Sequence, residues 1–167
     1  DEYLQQQWTL LTRLQQPLSL ILADVDEFKH YNDQYGHLAG DDCLKQIAQS
    51  ISLALKRPTD LVARYGGEEF AIVLPLTDIE GASQVAETIA EVIAQLKILH
   101  VASSTSDRVT LSLGISTMVP QVGLSLETLI ATADNALYQA KQKGRNRYCV
   151  YGASDGISEL VPRLRAE

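Results

Sequence analysis

Pro17 is followed by a short apolar run, Leu18-Ser-Leu-Ile-Leu-Ala23, which passes without a break into Asp24-Val25-Asp26. A run this short fits a buried central strand better than a helix, and a buried strand obliges the rest of the chain to build a sheet around it. The carboxylates of Asp24 and Asp26 therefore stand where the chain leaves the core. Ahead of the run, Leu4, Trp8, Leu11 and Leu14 recur at three- and four-residue spacing, one apolar stripe of a helix that Pro17 ends.

Beyond the strand, residues 26–35 read as a short helix stopped by Gly36. A second helix is expected from about Gly40-Asp41, with Leu44, Ile47, Ala48, Ile51 and Leu55 on one face and Pro58 closing it. Residues 60–65 and 68–74 are strand-like and flank Gly66-Gly67, which suits a tight two-residue hairpin whose favoured turns need positive φ. Residues 79–97 carry Val85, Ile89, Val92, Ile93 and Leu96 on a helical stripe, and His100 to Asp107 reads as an exposed polar loop. Residues 109–115 alternate apolar and polar, the mark of a half-covered strand. Ser125 can cap a last helix over 126–143 that Gly144 stops, and residues 147–151 form a closing strand. This order gives one α+β domain over 1–152 with a polar tail over 153–167. Its core is a ferredoxin-like split βαβ arrangement: a mostly antiparallel five-strand sheet with helices packed over one face. That scaffold serves many functions and decides none.

Charge and composition narrow the chemistry. With 14 Lys+Arg against 21 Asp+Glu the net charge is −7, which argues against a duplex-DNA or anionic-membrane binder. No apolar run approaches the ~20 residues of a membrane span, no secretory signal opens the chain, and a reducing, cytoplasmic setting is expected. Cys43 and Cys149 stand far apart and read as small buried hydrophobes. His30, His37 and His100 form no zinc-type cluster, and neither a G-x-S-x-G elbow nor a G-x-x-x-x-G-K-[ST] loop is present. Carboxylates remain, and they select hard, oxygen-loving ions such as Mg²⁺. Asp24 and Asp26 leave the central strand, and Glu68 and Glu69 follow the Gly-Gly turn of a hairpin expected to pair beside it. These acids can converge at one edge, where a cation would relieve their repulsion; singly, each reads as a solvated loop acid.

Arg64-Tyr65-Gly66-Gly67-Glu68-Glu69-Phe70 resembles the signature of the GGDEF family of diguanylate cyclases. Asp24-Val25-Asp26-Glu27-Phe28-Lys29, Tyr31-Asn32-Asp33, Tyr35-Gly36-His37 and Gly40-Asp41 resemble the family's upstream block. Ala133-Asp134-Asn135-Ala136-Leu137-Tyr138, Ala140-Lys141 and Gly144-Arg145-Asn146 resemble its late helix and turn. The resemblance implies a nucleotidyl-cyclase, palm-like version of the core, and condensation of two GTP into cyclic di-GMP with release of two pyrophosphates. It implies Mg²⁺, with Mn²⁺ as a substitute, held by the side chains of Asp24 and Glu68 and the carbonyl of Val25. Glu68 is also implied as the base, with Glu69 in support. Lys29 would meet charge built up on the phosphates, and Lys141 and Arg145 would hold the β- and γ-phosphates. Asn32 and Asp41 would read the guanine edge and His37 would lie near the nucleotide, with Gly66 and Gly67 leaving room for it.

Each of these residues also has an ordinary role available: Lys29 as a surface lysine, Asn32 as a cap, Asp41 as a helix start, His37 as a packed loop histidine, Lys141 and Arg145 as helix-end cations. The resemblance further implies a product-inhibition site at Arg57 and Asp60, where Arg57 could equally be a helix-end cation. The family's usual Asp-x-Leu-Thr-Gly-Leu-x-Asn-Arg stretch is missing at the front, so a longer protein with an upstream sensory module is expected, one that could be membrane-anchored. Catalysis is expected across a homodimer, with no nucleic-acid partner and no membrane insertion by this segment. Two rivals are a catalytically silent domain that binds GTP or cyclic di-GMP, and an ATP-using enzyme on the same scaffold.

Overall fold

The apolar run folds as β1 (Leu18–Val25), and all eight of its residues are buried. In the computed structural model, which describes residues 2–152, β1 is the middle strand of five. The others are β2 (Leu61–Arg64), β3 (Glu69–Pro75), β4 (Leu111–Met118) and β5 (Tyr148–Val150), in the order β2-β3-β1-β4-β5. Every pairing is antiparallel except that of β4 with β5. The helices are α1 (Glu2–Leu14), α2 (Phe28–Tyr35), α3 (His37–Ala54), α4 (Ile79–Leu96) and α5 (Leu126–Gln142). The tail expected over 153–167 lies outside the described residues.

Helices cover both faces of the sheet, not one. Ile21, Ala23 and Val25 of β1 pack with Leu44, Ile47 and Ile51 of α3 and Ala82, Ala86 and Ile89 of α4. Leu18, Leu20 and Leu22 point the other way, onto Leu4, Trp8 and Leu11 of α1 and Leu129 and Ala133 of α5. A strand apolar on both sides needs cover on both sides. The same cover explains why the alternation in β4 does not mean exposure. Ser112 and Ser116 are both buried, and their hydroxyls bond Asp26 and Thr132. At Gly114 the approach of α5 is so close that a Cβ would lie 2.2 Å from the Ala133 carbonyl oxygen. Glycine there sets the depth at which α5 seats.

Three local expectations are corrected. The β2–β3 connection is a four-residue loop, 65–68, in which the amides of Tyr65 and Gly66 both reach the Glu69 carbonyl. Neither Gly66 nor Gly67 has positive φ, since a longer loop does not require a mirror-image turn. Next, α3 starts at His37, directly after Gly36 at φ 87°, so Asp41 lies inside the helix and does not open it. Finally, His100 is fully buried although its segment is polar. Its Nε2 lies 3.1 Å from the Glu27 carbonyl, which can only accept, so this nitrogen carries the proton. The ring also meets Tyr31 edge-on at 5.3 Å.

Other expectations hold. Ser125 caps α5 by accepting from the Thr128 amide, Gly144 has φ 110°, and both cysteines are buried free thiols. No helix among the described residues is long and apolar enough to cross a membrane.

Glu27 makes the turn from β1 into α2 with φ 53°, and its carboxylate accepts from the Ser104 amide and hydroxyl, both at 2.6 Å. These bonds lower its pKa from 4.5 to about 2. The folded form thus holds its proton less tightly than the unfolded chain. The resulting stability is complete above pH 4.5 and is lost as pH falls toward 2. Glu27→Gln should cost about 1–2 kcal/mol at neutral pH. The gap from the unmutated chain should narrow through that acid window in denaturant titrations, and a pH-independent gap would contradict the assignment.

Candidate active site

The C-terminal end of β1 gathers charge because of register. Asp24 pairs directly with Glu69 on β3 and with Ser112 on β4, so these side chains share one face of the sheet. Val25 comes next, and its amide donates to the Glu68 carbonyl at 3.2 Å, which sets Glu68 one step out of phase with Asp24. From the last turn of α5, Lys141 Nζ reaches Asp24 Oδ2 at 2.9 Å. Burial pushes the Asp24 carboxyl above the ordinary carboxylate range. The hydrogen bond and charge of Lys141 hold that rise back, Glu69 adds to it, and Arg145 opposes it.

Asp26 is separate from this cluster. Its carboxylate is 1% exposed and accepts from the Ser112 hydroxyl at 2.6 Å, the Thr110 hydroxyl at 2.7 Å and the Asn146 amide at 3.0 Å. Burial raises its pKa, and those three bonds oppose the rise.

On the other face of the sheet, α3 and the β2–β3 hairpin enclose a cleft of about 360 Å³, lined by Asp41, Leu44, Ala48, Val62, Arg64 and Phe70 among others. Asn32 packs against Gly40, the residue before Asp41; a Cβ at Gly40 would fall 1.9 Å from Asn32 Oδ1. That oxygen is buried without a hydrogen-bond partner among the described residues, the condition of an acceptor awaiting a ligand. Lys29 is exposed on the first turn of α2, and His37 is exposed at the start of α3. Between the two faces runs the 65–68 loop. Arg64 Nε donates to the carbonyls of Gly66 at 3.1 Å and Gly67 at 2.9 Å, which ties both oxygens back toward β2.

The structure therefore brings together Asp24, Glu69, Lys141 and Arg145 on one face and Asn32 and Asp41 on the other, with Val25, Glu68, Gly66 and Gly67 at the rim. Arg57 and Asp60 stand apart from all of these. Arg57 forms a two-pronged pair with Asp60, 2.7 Å at its shortest, and also donates to the Pro75 carbonyl and the Thr77 hydroxyl. Reasoning from the sequence missed the hydrogen-bonded role of Asp26 and the Arg64 clamp. The signal for Asp26 was its spacing of two from Asp24, but its partners lie on β4, just ahead of it and beyond α5.

The donors fit a hard divalent cation. Asp24 and Glu69 are like charges directly opposite across the strand pair, an arrangement that destabilises unless a cation sits between them. All candidate donors are oxygens. No group of three or more His, Cys, Asp or Glu gathers among the described residues. Two carboxylates with the rest of the sphere left to water and phosphate is the usual Mg²⁺ arrangement.

Comparison with known proteins agrees with this geometry. Residues 1–147 match the family described as "Diguanylate cyclase, GGDEF domain". The chain is 40% identical over 130 residues to diguanylate cyclase A of Treponema denticola, and 42% identical over 132 residues to diguanylate cyclase DgcM of Escherichia coli K12. These alignments take in 78% and 79% of this chain and span 34% and 30% of those relatives, so the chain corresponds to about a third of their length. Among solved structures, the active GGEEF domain of a diguanylate cyclase from Vibrio cholerae superposes with TM-score 0.77 at 36% identity, covering 89% of this chain and 92% of that one. The GGDEF domain of DgcB from Caulobacter crescentus, in complex with c-di-GMP, gives 0.78 at 31% identity, covering 90% and 86%. With the family matched over residues 1–147 and solved GGDEF domains superposing on about nine-tenths of the chain, the chain belongs to the GGDEF domain family.

Proposed function

We propose that this domain is a diguanylate cyclase, condensing two GTP into cyclic di-GMP with release of two pyrophosphates. The observation that carries the reading is the Asp24–Glu69 pair facing Lys141 and Arg145 at one rim of the sheet, with the cleft of about 360 Å³ on the opposite face of the same strands. Guanine enters the cleft on the α3 face. Asp41 accepts from its N1 and N2 hydrogens, a donor pair that adenine lacks, and Asn32 lies beside it. The triphosphate crosses the side-chain-free loop at Gly66 and Gly67 to the α5 face, where Lys141 and Arg145 grip the β- and γ-phosphates. His37 flanks the nucleotide at the start of α3.

In each of two facing domains, Glu68 takes the proton of a ribose 3′-hydroxyl as that oxygen attacks the α-phosphorus of the nucleotide on the partner domain. One phosphodiester bond forms and one pyrophosphate leaves per attack, and two attacks close the ring. Lys29 meets the negative charge that grows on the phosphate oxygens. A bound Mg²⁺, with Mn²⁺ as a substitute, supplies charge neutralisation at the phosphates and acidifies the attacking hydroxyl. Asp24, the Val25 carbonyl and Glu69 would hold it. Cross-strand register favours Glu69 over Glu68 as the second carboxylate, which leaves Glu68 as the base. Homodimerisation, an upstream regulatory module and a cytoplasmic location belong to the same reading. Cyclic di-GMP binding at Arg57 and Asp60 supplies product inhibition.

Purified protein incubated with GTP and Mg²⁺ should yield cyclic di-GMP by chromatography, ATP should not compete, and EDTA should abolish product; turnover in EDTA would refute the carboxylate site. Glu69→Gln should raise the Mg²⁺ concentration for half-maximal rate by about tenfold or more, the loss of one charged ligand. Glu68→Gln should instead lower kcat by roughly 10²-fold or more with that concentration unchanged. The opposite pattern would exchange the two roles. Arg57→Ala should relieve inhibition by added cyclic di-GMP and keep most initial turnover, and inhibition equal to that of the unmutated chain would reject the Arg57 site.

A further inference from the structure

Arg145 and Asn146 are consecutive non-glycine residues in the left-handed region, with φ 63° and 48°. L side chains hold that backbone only where neighbours fix it. On the helix side, the Arg145 amide donates to the Ala140 carbonyl at 3.0 Å. On the sheet side, the Asn146 amide donates to Asp26 Oδ2 at 3.0 Å. The same carboxylate is bound to β4 and its approach by the Ser112 and Thr110 hydroxyls. From this turn the Arg145 charge acts on Asp24. Asp26 lies two residues beyond Asp24, yet both its oxygens accept hydrogen bonds from the protein and its side chain is sealed from solvent.

We propose that Asp26 is a positioning residue: its buried carboxylate clamps the Arg145–Asn146 turn onto β4 and so fixes the Arg145 guanidinium at the phosphate site, and it does not join Asp24 as a cation ligand. This rests on the reading of Arg145 as a phosphate-binding residue. The acid is well matched to the task, because a carboxylate accepts from three donors at once and has no proton of its own to place. It links the end of β1, the start of β4 and the turn after α5, so the two halves of the charged cluster keep one spacing.

The test is a double-mutant cycle read as the dissociation constant of an α,β-methylene GTP analogue, which cannot react, measured by calorimetry in Mg²⁺. Arg145→Ala and Asp26→Ala should each weaken binding by about tenfold, the scale of one charge-assisted contact, and the double variant should be no weaker than Arg145→Ala alone. Asp26→Asn should bind nearly as the unmutated chain does. Its amide oxygen can accept from Asn146 and Thr110 while its NH₂ donates to Ser112, whereas a cation ligand would be lost with the charge. Losses that multiply in the double variant, or Asp26→Asn as weak as Asp26→Ala, would overturn the proposal. Unchanged binding in Arg145→Ala would instead overturn the phosphate role of Arg145, leaving Asp26 nothing to position. If Asp26→Ala does not fold by circular dichroism, Ser112→Ala combined with Thr110→Val takes its place in the cycle, with the same outcomes.

Discussion

The desolvated carboxylate at the end of β1 is the constraint on which the rest turns. β1 is covered on both faces, so the carboxyl of its next-to-last residue, Asp24, is drawn out of water. An isolated carboxylate there would be costly, and Lys141 at 2.9 Å supplies the counter-charge. That cation is available only because α5 lies close against β4, and α5 can lie so close only because Gly114 has no side chain to hold it off. A packing fact in the core therefore sets an electrostatic distance at the rim. On the proposed reading, a divalent ion entering between Asp24 and Glu69 would meet two carboxylates, with one lysine to displace or share.

Division of labour follows from the two-sided sheet. Alternation along β1 and β3 sends Asp24 and Glu69 to the α5 face while Val25 and Phe70 turn to the α3 face. The charged cluster and the cleft are consequently on opposite sides of the same strands and meet only at the edge, where Gly66 and Gly67 leave the loop low. A ligand that uses both must wrap that edge. The chain's net charge of −7 makes this wrapping a local affair, since the overall field repels anions and only the few cations near the rim attract them.

How much of this the sequence disclosed depends on whether a signal was local. Leu18 to Ala23 announces a buried strand because six residues suffice to show it, and Ser125 announces a cap because its partner is three residues on. Asp24, Lys141 and Arg145 were legible as candidates from the family resemblance. Which glutamate stands opposite Asp24 was not, because register depends on a loop whose length the Gly-Gly pair misrepresents: four residues connect the strands, and one step of phase exchanges Glu68 for Glu69. His100 and the serines of β4 were misread for one shared reason. Polar residues imply exposure only when no partner waits inside, and here Glu27, Asp26 and Thr132 wait.

Position also constrains how the Arg57–Asp60 pair can act. It sits where β2 begins and β3 ends, while the Gly66–Gly67 loop is at the opposite end of the same hairpin. Six residue steps, most of them along β2, take the chain from Asp60 to Gly66, at most roughly 20 Å at the rise of a strand. A dinucleotide bound at Arg57 is too far from Asp24 and Glu69 to displace GTP from them in its own domain. Arg57 is moreover engaged already, to Asp60, the Pro75 carbonyl and Thr77, so a ligand there exchanges existing hydrogen bonds and does not fill an empty site. Its affinity would have to come from what it adds beyond those bonds, and in the proposed reading a bridging contact to a second domain would supply that. On the proposed reading, inhibition through this pair would act by holding domains apart or in a fixed pose, and it would leave the affinity of each rim for GTP unchanged.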